Sequence, residues 1–243
     1  MKIKFIPLSI LSLLLLAFAS CRQEDGSPIR NVRFDPNLLN QAMDGSACAT
    51  YSYAYQNERA NLGSVYTKQV VVAFAEGSTL AEQKRTAEKY GFINSLGHQT
   101  RTNSATLYTV ELVDGLNCKQ TEQALRVLRN DRMISYAAPF FAKDNNLLGV
   151  SNEAIVTVRD GGRAALDQLL QGYNASIVAS LRDGVYVVKV DKNSDGNALE
   201  LANYLKSKEE IAHAEPDFLV SQASLRPGLN RSAGRTSRAA STR

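Results

Sequence analysis

Imidazoles and thiols are where acid–base, nucleophilic or metal chemistry would have to start, and this chain carries few of them. Its 243 residues hold two histidines, His98 and His213, and three cysteines, Cys21, Cys48 and Cys118. Neither histidine has an HExxH companion, a cysteine pair or carboxylates at ligand spacing, so a metal site has no ligand set to build from. A nucleophilic triad would need one of these histidines as its base, yet there is no GxSxG elbow, and no P-loop or GxGxxG turn for phosphates. His98 falls in a predicted strand beside a turn. His213 aligns with Tyr136 of an internal repeat, and a position that takes either Tyr or His reads as structural rather than as a general base. The residues point away from an enzyme and imply no cofactor.

Cys21 sits in a different context. Lys2 and Lys4 precede a nearly continuous apolar run from Phe5 to Ala19, and Ala19-Ser20 places small residues just before the cysteine. That order makes an export signal over residues 1–20, too short for a membrane helix. Phe18-Ala19-Ser20-Cys21 resembles the lipobox of bacterial lipoproteins, with Phe18 where that family has leucine or valine. The resemblance implies that Cys21 takes a diacylglycerol and anchors the chain to a membrane of the cell envelope, the outer membrane being the expected one. The plainer alternative is a secretory signal with an incidental cysteine. Arg22-Gln23-Glu24-Asp25 resembles the acidic surface-export tags of some Gram-negative lipoproteins. In an oxidising envelope Cys48 and Cys118 either form one disulfide or remain free as small apolar residues. Spacing alone shows no proximity.

The formal charge of +4 belongs to the ends. Lys2 and Lys4 go with the signal, and Arg226, Arg231, Arg235, Arg238 and Arg243 crowd a terminal stretch that has no acid. The middle is mildly acidic, which gives no basic face for nucleic acid. Residues 21–67 read as a tether and lead segment of little periodicity, the tether running to about Ala47. Residues 222–243 are Ser, Ala, Arg and Gly, a disordered basic tail on composition.

Between these ends the same order of elements appears twice, over residues 68–144 and 150–221. In the second copy Glu153 to Val158 reads as a strand, and Leu166, Leu169, Leu170 and Tyr173 form one helical stripe. Residues 175–181 and 186–190 alternate around the Arg182-Asp183-Gly184 hairpin signal. Ala198, Leu201, Ala202 and Leu205 mark a second helix, and Ile211 to Val220 a closing strand. The first copy runs from the strand at Gln69 through a helix at 79–90, with Gly91 as its expected C-cap. Paired strands at 92–99 and 105–113 follow, then a helix around Thr121 to Leu128, then a strand at 133–142. Gly77 matches Gly161, Tyr90 matches Tyr173, Tyr108 matches Tyr186, and Pro139 matches Pro216. Asp144-Asn145-Asn146 reads as a short linker. A βαββαβ order has one common compact solution, so the expected fold class is α+β: two tandem ferredoxin-like modules, each an antiparallel sheet with two helices on one face. Such folds also host RNA-binding domains, but the expected neighbours of Tyr108 and Tyr186 are aliphatic, which leaves no stacking platform.

The closing strands carry the sharpest motif. Ile134-Ser135-Tyr136-Ala137-Ala138-Pro139-Phe140-Phe141 matches Ile211-Ala212-His213-Ala214-Glu215-Pro216-Asp217-Phe218. The run from Ile211 to Val220, at the end of a βαββαβ unit, resembles the end of the propeptide of subtilisin-type serine proteases, including the fervidolysin-like prodomains. None of the sequence around a subtilase catalytic Asp, His or Ser is present. The resemblance implies a sheet docked on two surface helices of a protease, with carboxylates capping the helix N-termini, where free N–H groups favour an anion. Glu215 and Asp217 hold the matching positions, with Phe218, Leu219, Val220 and Ser221 as the segment for the protease cleft. The first copy has Ala138 and Phe140 instead and cannot make those contacts. The plainer alternative is that Glu215 and Asp217 are solvated residues beside a strand-end proline. The leading expectation is a non-catalytic inhibitor or folding chaperone of a subtilisin-type protease. The rivals are a structural or adhesion lipoprotein and the remnant of a protease that lost its catalytic domain.

Overall fold

The structure, a computed structural model, describes residues 47–55 and 58–222. The signal expected over residues 1–20, the lipidation at Cys21, the tether up to residue 46 and the tail from residue 223 lie outside the described residues.

The described chain opens with a hairpin, β1 (Tyr51–Tyr55) and β2 (Glu58–Gly63). Then come β3 (Val65–Phe74), α1 (Leu80–Glu88), β4 (Ile93–Arg101), β5 (Thr106–Leu112), α2 (Cys118–Arg129) and β6 (Ile134–Lys143). The order repeats as β7 (Asn146–Val158), α3 (Arg163–Gly172), β8 (Ser176–Arg182), β9 (Val185–Lys189), α4 (Ala198–Lys206) and β10 (Ile211–Gln222). The architecture is α+β with antiparallel pairing. α1, α2 and α4 each begin with a reciprocal cap, Thr79 with Glu82, Asn117 with Gln120 and Asn197 with Glu200, which satisfies otherwise orphaned N–H groups. α3 follows Gly162 without a side-chain cap. α1 ends sooner than its sequence suggests: Lys89 is the C-cap in a right-handed conformation, and Gly91 is not among the left-handed glycines. The expected glycine cap is therefore corrected.

The repeat holds at the level of single register positions. Strands lie in the order β4-β5-β3-β6 in the first half and β8-β9-β7-β10 in the second. Val72 sits between Tyr108 and Ala137, and its counterpart Val156 sits between Tyr186 and Ala214. Val70 faces Pro139, and Ala154 faces Pro216. Just beyond each proline the ladder slips, so that Phe141 pairs with Val65 and Phe218 with Val150. Gly77 and Gly161 both take a left-handed φ, 78° and 72°, at the turn after the first strand, where a Cβ would be strained.

The halves are not joined by a linker. Asp144 (φ 48°) and Asn145 (φ 61°) both occupy the left-handed region that a tight two-residue hairpin turn demands and that Asp and Asn tolerate. Lys143 pairs with Asn146, and β6 runs directly into β7. Residues 146–149 of β7 then bind β6 along one edge and β10 along the other. Gly149 lies opposite Phe140, and a Cβ there would come within 2.5 Å of the Phe140 ring and 2.8 Å of Val71. A glycine is what lets this ring lie across the strand.

Among the described residues β3 to β10 make one sheet of eight strands, with two hydrophobic clusters. The smaller holds Val70, Val72, Tyr108, Val110, Leu125 and Leu128, between the first sheet half and its helices. The larger joins the opposite face of that half (Val71, Leu107, Tyr136, Ala138, Phe140) to the core of the second (Val156, Leu166, Val188, Leu199, Leu201). Each such fully buried side chain contributes roughly 1.5–3 kcal/mol, so neither half is complete without the other.

The lead segment is more ordered than its composition suggests. Tyr51 of β1 packs on Phe141 of β6 with ring centroids 5.2 Å apart, and Tyr53 packs on Phe218 of β10 at 5.5 Å. Phe141 and Phe218 are counterparts in the repeat, so one strand bridges equivalent rings of the two halves. The Asn203 amide on α4 holds the β1 backbone, donating to the Ser52 carbonyl at 2.8 Å and accepting from the Ala54 N–H at 3.2 Å. The Tyr51 hydroxyl donates to Glu122 on α2 at 3.1 Å. Burial first, and then the Glu122 carboxylate, pushes that hydroxyl up to about 12. Cys48 and Cys118 form a disulfide with Cα atoms 5.9 Å apart, tying the start of this segment to the first turn of α2.

Candidate protein-contact site

The sequence motif falls on β10, which pairs with β7 along its length and, among the described residues, with no other strand. Cross-strand partners share a face. His213 lies beside Thr157 and Val185, and Glu215 beside Ile155 and Val187. The alternate residues, Ala154, Val156, Tyr186 and Val188, belong to the larger core with Leu166 and Leu170 of α3 and Leu199 of α4. His213, Glu215 and Asp217 therefore stand on the sheet face turned away from α3 and α4, and all three are half-buried. The His213 Nε2 lies 3.2 Å from a Glu215 carboxylate oxygen. Neighbours at i and i+2 on one strand face meet in this way.

Phe218, Leu219, Val220 and Ser221 are extended, yet they are not a free peptide. They pair in register with Val150, Gly149, Leu148 and Leu147 of β7. Phe218 is additionally held by Tyr53. Val220 is 67% exposed. The expected cleft segment is thus presented as the outer strand of a sheet with one free edge.

A groove of about 1130 Å³ runs beside this segment. Asp217 to Ser221 line it from β10, Gly97, His98, Thr100 and Arg101 from β4, and Gln69, Thr109 and Glu111 from between them. The tip of the β4–β5 hairpin closes on β7 at Glu153. The Ser104 hydroxyl (2.6 Å) and N–H (2.8 Å) donate to one Glu153 oxygen, and the Asn103 amide donates to the other at 2.8 Å. Asn152 donates to the Ser104 hydroxyl at 2.8 Å and accepts from Thr102 at 3.0 Å. Glu153 is 2% exposed. Burial alone would raise its carboxyl, but the hydrogen bonds from Ser104, Asn103 and Thr102 outweigh burial and hold it below the usual carboxylate range. Composition around residues 102–105 did not distinguish this latch from an ordinary turn.

His98 lies on β4 and lines the groove, far along the chain from His213. Among the described residues, no three His, Cys, Asp or Glu side chains gather as they would around a metal ion, and no helix is long and apolar enough to cross a membrane. The β1–β2 hairpin was missed by sequence reading, although the alternating tyrosines of Tyr51-Ser52-Tyr53-Ala54-Tyr55 are a period-two strand pattern. No protein-family model and no curated protein matches the chain.

Proposed function

We propose that this chain is a non-catalytic, propeptide-like protein that docks a subtilisin-type serine protease as an inhibitor or folding chaperone, and that Cys21 anchors it by lipid in the cell envelope. The reading takes its two halves as tandem ferredoxin-like modules, a view supported by the shared strand order and by the matching register of Val72 and Val156. One observation carries it: the second half keeps a sheet face clear of its own helices, and that face bears Glu215 and Asp217 next to an exposed-edge strand. Two carboxylates so placed are suited to the free N–H groups of a partner's helix termini.

A second reading, a structural or adhesion lipoprotein, is favoured by a different observation. Phe218 to Ser221 are already paired to β7 and so meet a partner as a surface rather than as a loose end. The test is inhibition of a purified subtilisin by the whole chain. An isolated second half is a poor reagent, because β7 is shared with β6. Inhibition at micromolar level or better is expected, and Glu215→Ala with Asp217→Ala should weaken it by about 1–3 kcal/mol if both carboxylates accept charge-assisted hydrogen bonds. Equal inhibition by the double variant removes the capping role. No inhibition by the native chain favours the second reading.

A further inference from the structure

We propose that the groove between the free edges of β4 and β10 is a slot for one extended strand of a partner polypeptide that carries basic side chains. The inference goes beyond protease docking: it shares Asp217 and the edge of β10 with that reading but adds the facing edge of β4 and a different occupant.

It starts from strand order. Because residues 146–149 of β7 have β6 on one edge and β10 on the other, β4-β5-β3-β6-β7-β10 is an unbroken succession of six strands. Its outer members are β4 and β10, and both line the same groove. The five consecutive residues from Asp217 to Ser221 all contribute to that lining. Side chains alternate between faces along a strand, so a run of neighbours can line one cavity only where the cavity follows the strand's edge. The sheet therefore curls until two unpaired edges look at each other across a gap, and the Glu153 latch shuts the gap at one end.

An unpaired edge is a row of N–H and C=O groups ready to receive another strand. Proteins usually blunt such edges with lysine, proline or a bulge. From Phe218 to Gln222 β10 has none of these, and its ladder with β7 shows no slip. β4 is bulged near Gly97 and His98 but regains register from Gln99 to Arg101. Asp217 to Ser221 span about 13 Å at roughly 3.3 Å per residue, room for four or five residues of an added strand.

The lining also says what the strand should carry. Glu111 and Asp217 line the groove against the single guanidinium of Arg101, while Glu153 at its closed end is already held by Ser104 and Asn103. Gln69 Oε1, also at the groove, is buried without a hydrogen-bond partner, a state that costs free energy until a donor arrives. A peptide with basic side chains brings both the N–H groups and the charge.

The probe is a ten-residue peptide of alternating valine and arginine, together with an analogue N-methylated at alternate amides. Fluorescence anisotropy with the full purified chain should show saturable binding that falls at least tenfold on N-methylation and at least tenfold in Glu111→Lys. Hydrogen exchange at Thr100, Arg101, Leu219 and Val220 should slow when the probe is added. Glu111 is exposed and lies outside the proposed protease face, so Glu111→Lys should inhibit subtilisin as the native chain does; loss of probe binding with inhibition intact separates this proposal from the docking one. Equal binding of the N-methylated peptide, or no slowing at those amides, would overturn the slot. A chain ending at Gln222 that binds the probe where the full chain does not would overturn the assignment to a partner, because the arginine-bearing tail would then be the occupant.

Discussion

At matching positions of β6 and β10 the two halves carry opposite chemistry: Tyr136, Ala138 and Phe140 in the first, His213, Glu215 and Asp217 in the second. The pairing with the first strand of each half is the same, down to the proline and the slip that follows it, although β6 is also paired to β7 from Phe140 onward. The surroundings are not. Tyr136, Ala138 and Phe140 are 3%, 0% and 1% exposed, inside the core that joins the halves, and the Tyr136 hydroxyl donates to the carbonyls of Val150 and Ser151. Their counterparts are half-buried; His213 meets Glu215, and Asp217 lines the groove. One copy of the repeat has spent its sheet face on holding the other, and at the matching positions the second carries half-buried polar side chains among Ile155, Val185 and Val187. A duplicated fold need not be a duplicated function.

Exchanging counterparts is the strongest way to break that comparison. Phe140→Asp places a carboxylate in the shared core, and since removing a buried phenylalanine ring alone costs about 3–5 kcal/mol, urea melts should show at least that loss or no folded protein. The mirror change, Asp217→Phe, should stay within about 1 kcal/mol of the native chain, as substitutions on a half-open surface do. Next in size is the strap across the two halves. Replacing both Cys48 and Cys118 by serine should lower stability by about 2–4 kcal/mol, the usual range for a bridge that closes a long loop, with the β1 amides exchanging faster than the rest. Tyr136→Phe should cost about 1–3 kcal/mol, because it leaves buried carbonyls without their donor, whereas His213→Phe should change stability by about 0.5 kcal/mol or less.

The smallest effect concerns the latch between the halves. The Glu153 carboxyl is held below its ordinary value in the folded state, so its stabilisation is fully present above the unfolded value of about 4.3. It is lost as pH falls through the folded value. Glu153→Gln should flatten that part of the acid unfolding curve while leaving the neutral-pH groove lining intact.

How far these features were legible depends on the range of the interaction. Element order and the landmarks Gly77 and Gly161 were readable because they depend on local periodicity and turn chemistry. The aliphatic neighbours expected for Tyr108 and Tyr186 hold only on one side: Tyr108 lies between Val72 and Gln99 and packs on Phe74 at 5.2 Å, and Tyr186 lies between Val156 and Ser180. The join was not readable. Asp-Asn-Asn is as compatible with a solvated linker as with a tight turn, and only the pairing of Lys143 with Asn146 decides between them. The contrast of Ala138 and Phe140 with Glu215 and Asp217 was visible as a difference, and it pointed to the second half as the one with a face to offer. That the first half's face is covered by the second, and that Tyr51 and Tyr53 bridge Phe141 and Phe218, depends on contacts between segments far apart in the chain. The cysteine pairing was undecided for the same reason, since nothing local brings residue 48 to residue 118.

The carboxylate face of the second half can be questioned directly by hydrogen exchange of the whole chain with and without a catalytically inactivated subtilisin. Slowed exchange concentrated on β7, β9 and β10 from His213 to Ser221, with α1 and α2 unchanged, is the expected footprint. Protection confined to the helical side, or none anywhere at micromolar protease, would contradict it.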